Sequence, residues 1–180
     1  MKIKLLTLAV STALSLFLFT GCTDKGPQAE KMVEQDLSGT IVLEDITLTV
    51  NETGLKDQVA PPDPYGYYTY YEEHDGYQYY VASVTVKNES DRLFNSSSCL
   101  VTADMADESR AEGKLVLLNE VDTDFQETLD AGKECKGYLF VLVKKEAGIP
   151  ETVNIYYNHG FTVKEDAEQY DIKNILRVIS

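Results

Sequence analysis

Positions 135–144 read Cys-Lys-Gly-Tyr-Leu-Phe-Val-Leu-Val-Lys, which is apolar on both faces of an extended strand. With a period of two, Leu139, Val141 and Val143 fall on one side and Tyr138, Phe140 and Leu142 on the other. Such a strand needs cover above and below, so it is predicted to be central in a sheet. Stricter alternation recurs elsewhere: Ile46, Leu48 and Val50 within a first strand over 41–51; Tyr80, Ala82, Val84 and Val86; and Val153, Ile155 and Tyr157. Residues 93–104 and 114–118 read as further strands, and the tail from Glu165 as a turn followed by a strand. Turn signals recur at the spacing of a sandwich, with no alternation of strands and helices. The fold class predicted is all-β, an antiparallel β-sandwich.

The densest local signal is aromatic. Tyr67, Tyr68, Tyr70 and Tyr71 precede Glu72-Glu73-His74-Asp75-Gly76, and a second aromatic, β-branched run follows from Gln78. Asp-Gly between two such runs predicts a hairpin with Gly76 at positive φ. Alternation would turn about half of the tyrosines outward near a tip carrying His74. Tyr65, Tyr67, Tyr68, Tyr70, Tyr71, His74, Tyr77 and Tyr79 are therefore the candidate binding surface, since exposed aromatic rows stack on sugars or anchor protein partners. Ordinary cross-strand packing is the competing use of the same residues.

The N-terminus points to a compartment. Lys2 and Lys4 precede an uncharged run over 5–20, about the length of a signal peptide and short for a membrane-spanning helix. It ends Leu18-Phe19-Thr20-Gly21-Cys22, which resembles a bacterial lipobox, although Phe19 stands where that pattern usually has Leu. The resemblance implies cleavage before Cys22 and a diacylglycerol on its thiol, with two or three acyl chains making a stable anchor. The expected organisation is a leader over 1–21 that forms a detached helix where present, a flexible linker over 22–40, and a sandwich domain over 41–180. The localisation expected is the extracytoplasmic face of a Gram-positive-type cell membrane.

With 30 acidic and 16 basic residues the formal net charge is −14, and removing the two leader lysines makes the rest more acidic still. Such a surface repels phosphate backbones and anionic lipid headgroups, and it excludes nucleic acid as a partner. Once Cys22 is set aside, Cys99 and Cys135 remain, an even pair in a compartment that permits disulfides. A bridge would stabilise the fold by about 3–4 kcal/mol; two buried free thiols are the alternative.

Chemistry-bearing motifs are scarce. Only His74 and His159 supply imidazole, each in a turn context and neither near a nucleophile motif. No HExxH, paired CxxC or glycine-rich phosphate loop occurs. An EF-hand register from Asp122 fails because it meets Glu127 and Lys133 where Gly and Glu are needed. A looser calcium site could use Asp122, Asp124 and Glu127, or Asp104, Asp107 and Glu108. The reading is therefore a non-enzymatic binding module without cofactor or metal, held to the membrane through Cys22 and directed at another envelope protein or a wall polymer. A small-ligand or calcium-binding accessory lipoprotein is the alternative, and an envelope hydrolase with paired carboxylates a remote one.

Two motifs carry a family resemblance. YVASVTVKNES over 80–90 and LDAGKECKGYLFVLV over 129–143 resemble the immunoglobulin-like domain of unknown function found in Gram-positive lipoproteins. Val84, Val86 and Asn88 match its Val-x-Val-x-Asn turn; Leu129, Gly132 and Gly137 match the signature before its central strand. Ala131 and Lys144 depart from prolines usual in that pattern. The resemblance covers roughly residues 37–160 and implies an exported, anchored sandwich of seven to nine strands with no established catalysis.

Mass spectrometry of protein extracted from membranes should find a chain beginning at Cys22 with the mass of a diacylglycerol added, and Cys22→Ala should abolish both processing and membrane retention.

Overall fold

A computed structural model describes residues 27–159 and 169–179; the leader, Cys22 and its predicted helix lie outside them. The strands are β1 (Gln28–Asp36), β2 (Thr40–Leu43), β3 (Ile46–Lys56), β4 (Tyr77–Asn88), β5 (Phe94–Asn95), β6 (Cys99–Asp104), β7 (Arg110–Leu118), β8 (Phe125–Gln126), β9 (Thr128–Leu129), β10 (Glu134–Lys144), β11 (Thr152–Tyr157) and β12 (Gln169–Arg177). They run β1-β12-β11-β6-β7-β10-β4-β3-β2 in one sheet, with β8 added to β7 and a separate β5–β9 ribbon. The sheet curls on itself into a sandwich. Its far ends meet where the Asn174 side-chain amide on β12 donates to the Val42 carbonyl on β2 at 3.3 Å.

β10 is central, flanked by β4 and β7 in antiparallel register. Leu139, Val141 and Val143 join Leu48, Val84, Val86, Ile155 and Leu176 in the inner core. Tyr138 and Phe140 face the other way, with Tyr79, Val81, Val116 and Leu118, in a second buried cluster on the outer face. Two glycines let the strands around β10 close up: a Cβ on Gly113 would lie 2.1 Å from the Phe140 carbonyl oxygen, and one on Gly137 2.5 Å from that of Val116.

Four expectations are corrected. The strand predicted over 41–51 is a hairpin, β2 and β3, turning at Glu44, which takes a φ of 57°. The linker predicted over 22–40 contains β1, paired in parallel with β12 from Gln28↔Gln169 to Asp36↔Arg177. β1 is held by backbone hydrogen bonds and by Val33 against the core, while Met32 and most neighbours face water. A strand that buries so little leaves no hydrophobic period to read.

The tyrosine hairpin does not form. Both edges of β4 are occupied, by β3 and β10, so residues 67–71 have no edge to pair with. Gly76 does make its turn, at φ 79°. The disulfide is also absent: Cys99 and Cys135 are free, half-buried thiols. β7 separates their strands, a spacing of about 10 Å against the roughly 7 Å that a bridge tolerates. Burial pushes the Cys99 thiol up to about 12. Burial, then Glu134 and Asp122, pushes Cys135 up to about 11, so both stay protonated at neutral pH.

Asn88 closes the inner core. Wholly buried, its amide nitrogen donates to the carbonyls of Arg92 (2.7 Å), Leu129 (3.0 Å) and Asp130 (3.2 Å). Its side-chain oxygen accepts from the Ser90 amide and hydroxyl. Replacing it removes the donor to the buried Leu129 carbonyl and to the part-buried Asp130 carbonyl, so Asn88→Ala should lower unfolding free energy by about 1–3 kcal/mol, read as a reduced denaturant midpoint with an unchanged m-value.

Candidate functional site

The segment 57–76 leaves the end of β3 and returns to the start of β4, crossing the outer face of the sheet on the way. Its base is pinned from inside. Val59 is buried and exchanges backbone hydrogen bonds with Tyr71 at 3.0 and 2.8 Å. The Tyr71 ring packs on Phe140 at 4.7 Å and on Phe125 at 6.0 Å, and the Lys114 ammonium lies 5.4 Å from its centre. The Tyr79 hydroxyl donates to the Glu72 carbonyl at 2.9 Å. Lys145 ties the ends of the segment through Asp57 at 3.0 Å and Glu73 at 3.8 Å.

The tip is held from the side by the loop between β7 and β8. The Asp63 amide donates to the Asp122 carbonyl at 3.2 Å, and the Thr69 amide to Asp124 Oδ1 at 2.8 Å. Asp124 Oδ1 also accepts from the Phe125 amide. These backbone donors, Thr69 first, hold the Asp124 carboxyl below the usual carboxylate range.

The predicted tyrosine surface divides under this geometry. Tyr65 (85% exposed) and Tyr67 (105%) stand free of the fold; Tyr68 (39%), Tyr70 (49%) and Tyr77 are partly exposed, and the Tyr68 and Tyr70 rings lie 5.8 Å apart. Tyr71 is half-buried and braces the segment. Tyr79, at 4% exposure, belongs to the outer cluster and is removed from the candidate surface. His74 is exposed on the return limb, and its backbone carbonyl accepts from the Tyr77 amide. Residues 64–71 carry no charge, in a chain where 26% of residues do. Beside the segment lies a cleft of about 420 Å³ lined by Tyr71, Phe125, Thr69, Lys114, Glu127 and Ser96.

The four aspartates weighed for calcium have other partners. Asp122 pairs with Lys136, and Asp124 holds the tyrosine tip. Asp104 accepts from Asn154 (2.9 Å), Thr152 (3.1 Å) and Arg110 (3.3 Å), while Asp107 accepts from Ser109. Glu127 lines the cleft. Among the described residues no group of three or more His, Cys, Asp or Glu side chains is placed to hold a metal ion. His159 follows β11 with Nδ1 3.2 Å from Glu44 Oε2 and 3.4 Å from Asp45 Oδ1, and Arg92 abuts its Nε2. That cluster places the β2–β3 turn beside the end of β11.

Residues 37–170 match the domain of unknown function DUF4352, and the chain belongs to that family. The fold is similar to that of an uncharacterized β-sandwich protein from Clostridium difficile 630, with a TM-score of 0.60 and 16% identity over 85% of this chain and 99% of that one. Weaker likeness extends to the yjhA protein of Bacillus subtilis (TM-score 0.45, 14% identity, 81% and 99% coverage). It extends also to ycdA of Bacillus subtilis subsp. subtilis str. 168, a candidate lipoprotein (TM-score 0.44, 14% identity, 78% and 38% coverage). No curated protein matches the chain. Among the described residues no helix is long and apolar enough to cross a membrane.

The sequence points to the tyrosines but not to what positions them. Its spacing makes Asp124 a metal-ligand candidate, and only the capture of the Thr69 amide makes it a positioning residue. Asp124→Ala should speed hydrogen exchange at the amides of Thr69 and its neighbours while those of β4 and β10 stay protected. Because the Asp124 carboxyl is depressed in the folded state, its contribution is intact above the ordinary carboxylate range and is lost as pH falls through its lowered value. Loosening confined to 63–71 should appear there in wild type and be missing from Asp124→Ala.

Proposed function

We propose that this protein is a lipid-anchored, extracytoplasmic β-sandwich module that recognises a component of the cell envelope through the tyrosine tip at 64–70, without catalysis. The observation that carries this reading is an uncharged run of tyrosines, largely in water, on a segment whose base is packed and whose tip is hydrogen-bonded in place. Holding aromatic rings in solvent leaves their apolar area uncovered, and rigid aromatic side chains that lose little entropy on contact are the residues that dominate recognition surfaces. The lipobox-like end at Cys22 supports the anchor, and the acidic surface keeps anionic polymers away from the rest of the domain. The cleft beside Tyr71 borders the same segment and widens the surface a partner could cover.

The test separates recognition from folding. Tyr67→Ser combined with Tyr68→Ser should abolish crosslinking of the tip segment to envelope components, lipid included, in intact membranes and leave the melting temperature within a degree or two of wild type. Tyr79→Ser, which removes a buried ring, should lower the melting temperature clearly. A double variant that unfolds, or that retains every crosslinked component, defeats the reading.

A further inference from the structure

The ladder fixes which end of the sandwich carries the tyrosine tip. Gln28 at the start of β1 pairs with Gln169 at the start of β12. β12 is antiparallel to β11, β11 to β6, β6 to β7 and β7 to β10. The starts of β1, β12, β6 and β10 therefore point the same way as the ends of β11 and β7. The two layers share this polarity, because His159 beyond β11 meets Glu44 and Asp45 at the β2–β3 turn. The loop after Leu118 at the end of β7 lies at this end, and its Asp122 and Asp124 hold Asp63 and Thr69. The tyrosine tip thus sits at the end where β1 begins.

That end faces the bilayer if Cys22 is acylated. Only residues 23–27 separate Cys22 from β1, at most about 17 Å of extended chain. β1 has absorbed most of the linker that would otherwise have held the domain clear of the surface. The group brought toward the headgroups is a run of eight uncharged residues, 64–71, with Tyr65 and Tyr67 standing in water. Tyrosine concentrates at membrane interfaces, where its ring meets the acyl boundary and its hydroxyl stays hydrated. The carboxylates at this end, Asp63, Asp122 and Asp124 beside the tip and Glu44 and Asp45 at the β2–β3 turn, oppose contact with anionic lipid, so the uncharged tip is the part of this end suited to a zwitterionic headgroup layer.

We infer that the component recognised by the tyrosine tip is the outer face of the membrane itself. Tyr65, Tyr67 and Tyr68 lodge in the headgroup layer and set the orientation of the anchored domain. This rests on the lipid-anchor reading above and names the partner of the same surface.

The chain has no tryptophan, so Tyr67→Trp places a single fluorescent reporter at the tip. The variant is purified from membranes, its N-terminal peptide is weighed for the acyl group, and it is reconstituted into phosphatidylcholine vesicles containing brominated lipids. The expected result is an acylated chain whose indole emission is blue-shifted relative to detergent-free buffer, and is quenched more by bromines near the headgroups than by bromines deep in the chains. Added salt should not weaken the quenching. An acylated protein whose indole emission stays water-like and unquenched overturns the inference and leaves the anchor standing. If the Tyr67→Ser and Tyr68→Ser double variant then loses a crosslinked protein or glycan, the partner belongs to that class. A chain without the acyl group overturns the anchor and this inference together.

Discussion

A strand that is apolar on both faces cannot be left against water, and β10 is such a strand. Leu139, Val141 and Val143 are covered by the opposite layer of the sandwich, as in any two-layer sheet. Tyr138 and Phe140 have no second layer to meet. Phe140 is covered by Tyr71 of the 57–76 segment, with Val59 in the same cluster, and Tyr138 by Phe125 of β8 and the Lys56 ammonium. The fold therefore has two cores of unequal kind, one made by strands and one roofed by a segment without regular structure. Holding that roof down places its middle, the tyrosine tip, beyond the sheet.

Charge shapes how the roof is held. In so acidic a chain, carboxylates are most useful where backbone amides or cations can meet them. Asp124 takes amides from Thr69 and Phe125, Asp104 takes Asn154, Thr152 and Arg110, and Glu44 and Asp45 face His159. Each lies at a strand end or in a turn, where it joins segments distant in sequence. Surface pairs such as Lys87–Glu89 contribute little to stability beside these.

The polarity of the sheet connects the proposed anchor to the proposed recognition surface. Among the described strands β1 is the one that pairs in parallel, with β12, and it carries the chain from the Cys22 side directly into the edge of the sandwich. A strand in register puts the start of β1 and the tyrosine tip at one end.

The residue pattern alone marks the class and its centre. Alternation in 80–86 and 153–157 identifies β4 and β11, and the run apolar on both faces at 138–143 identifies β10 as a strand that needs cover above and below. The turn at Gly76 and the tail strand were legible for equally local reasons, backbone freedom and hydrophobic period. The remaining features depend on neighbours brought together in space, which no local pattern encodes. β1 buries too little to show a period. The tyrosine hairpin fails because β4 has no edge left, and the disulfide because β7 stands between its cysteines. Tyr79 and Tyr67, alike in sequence context, differ because one lies under the roof and the other on its tip.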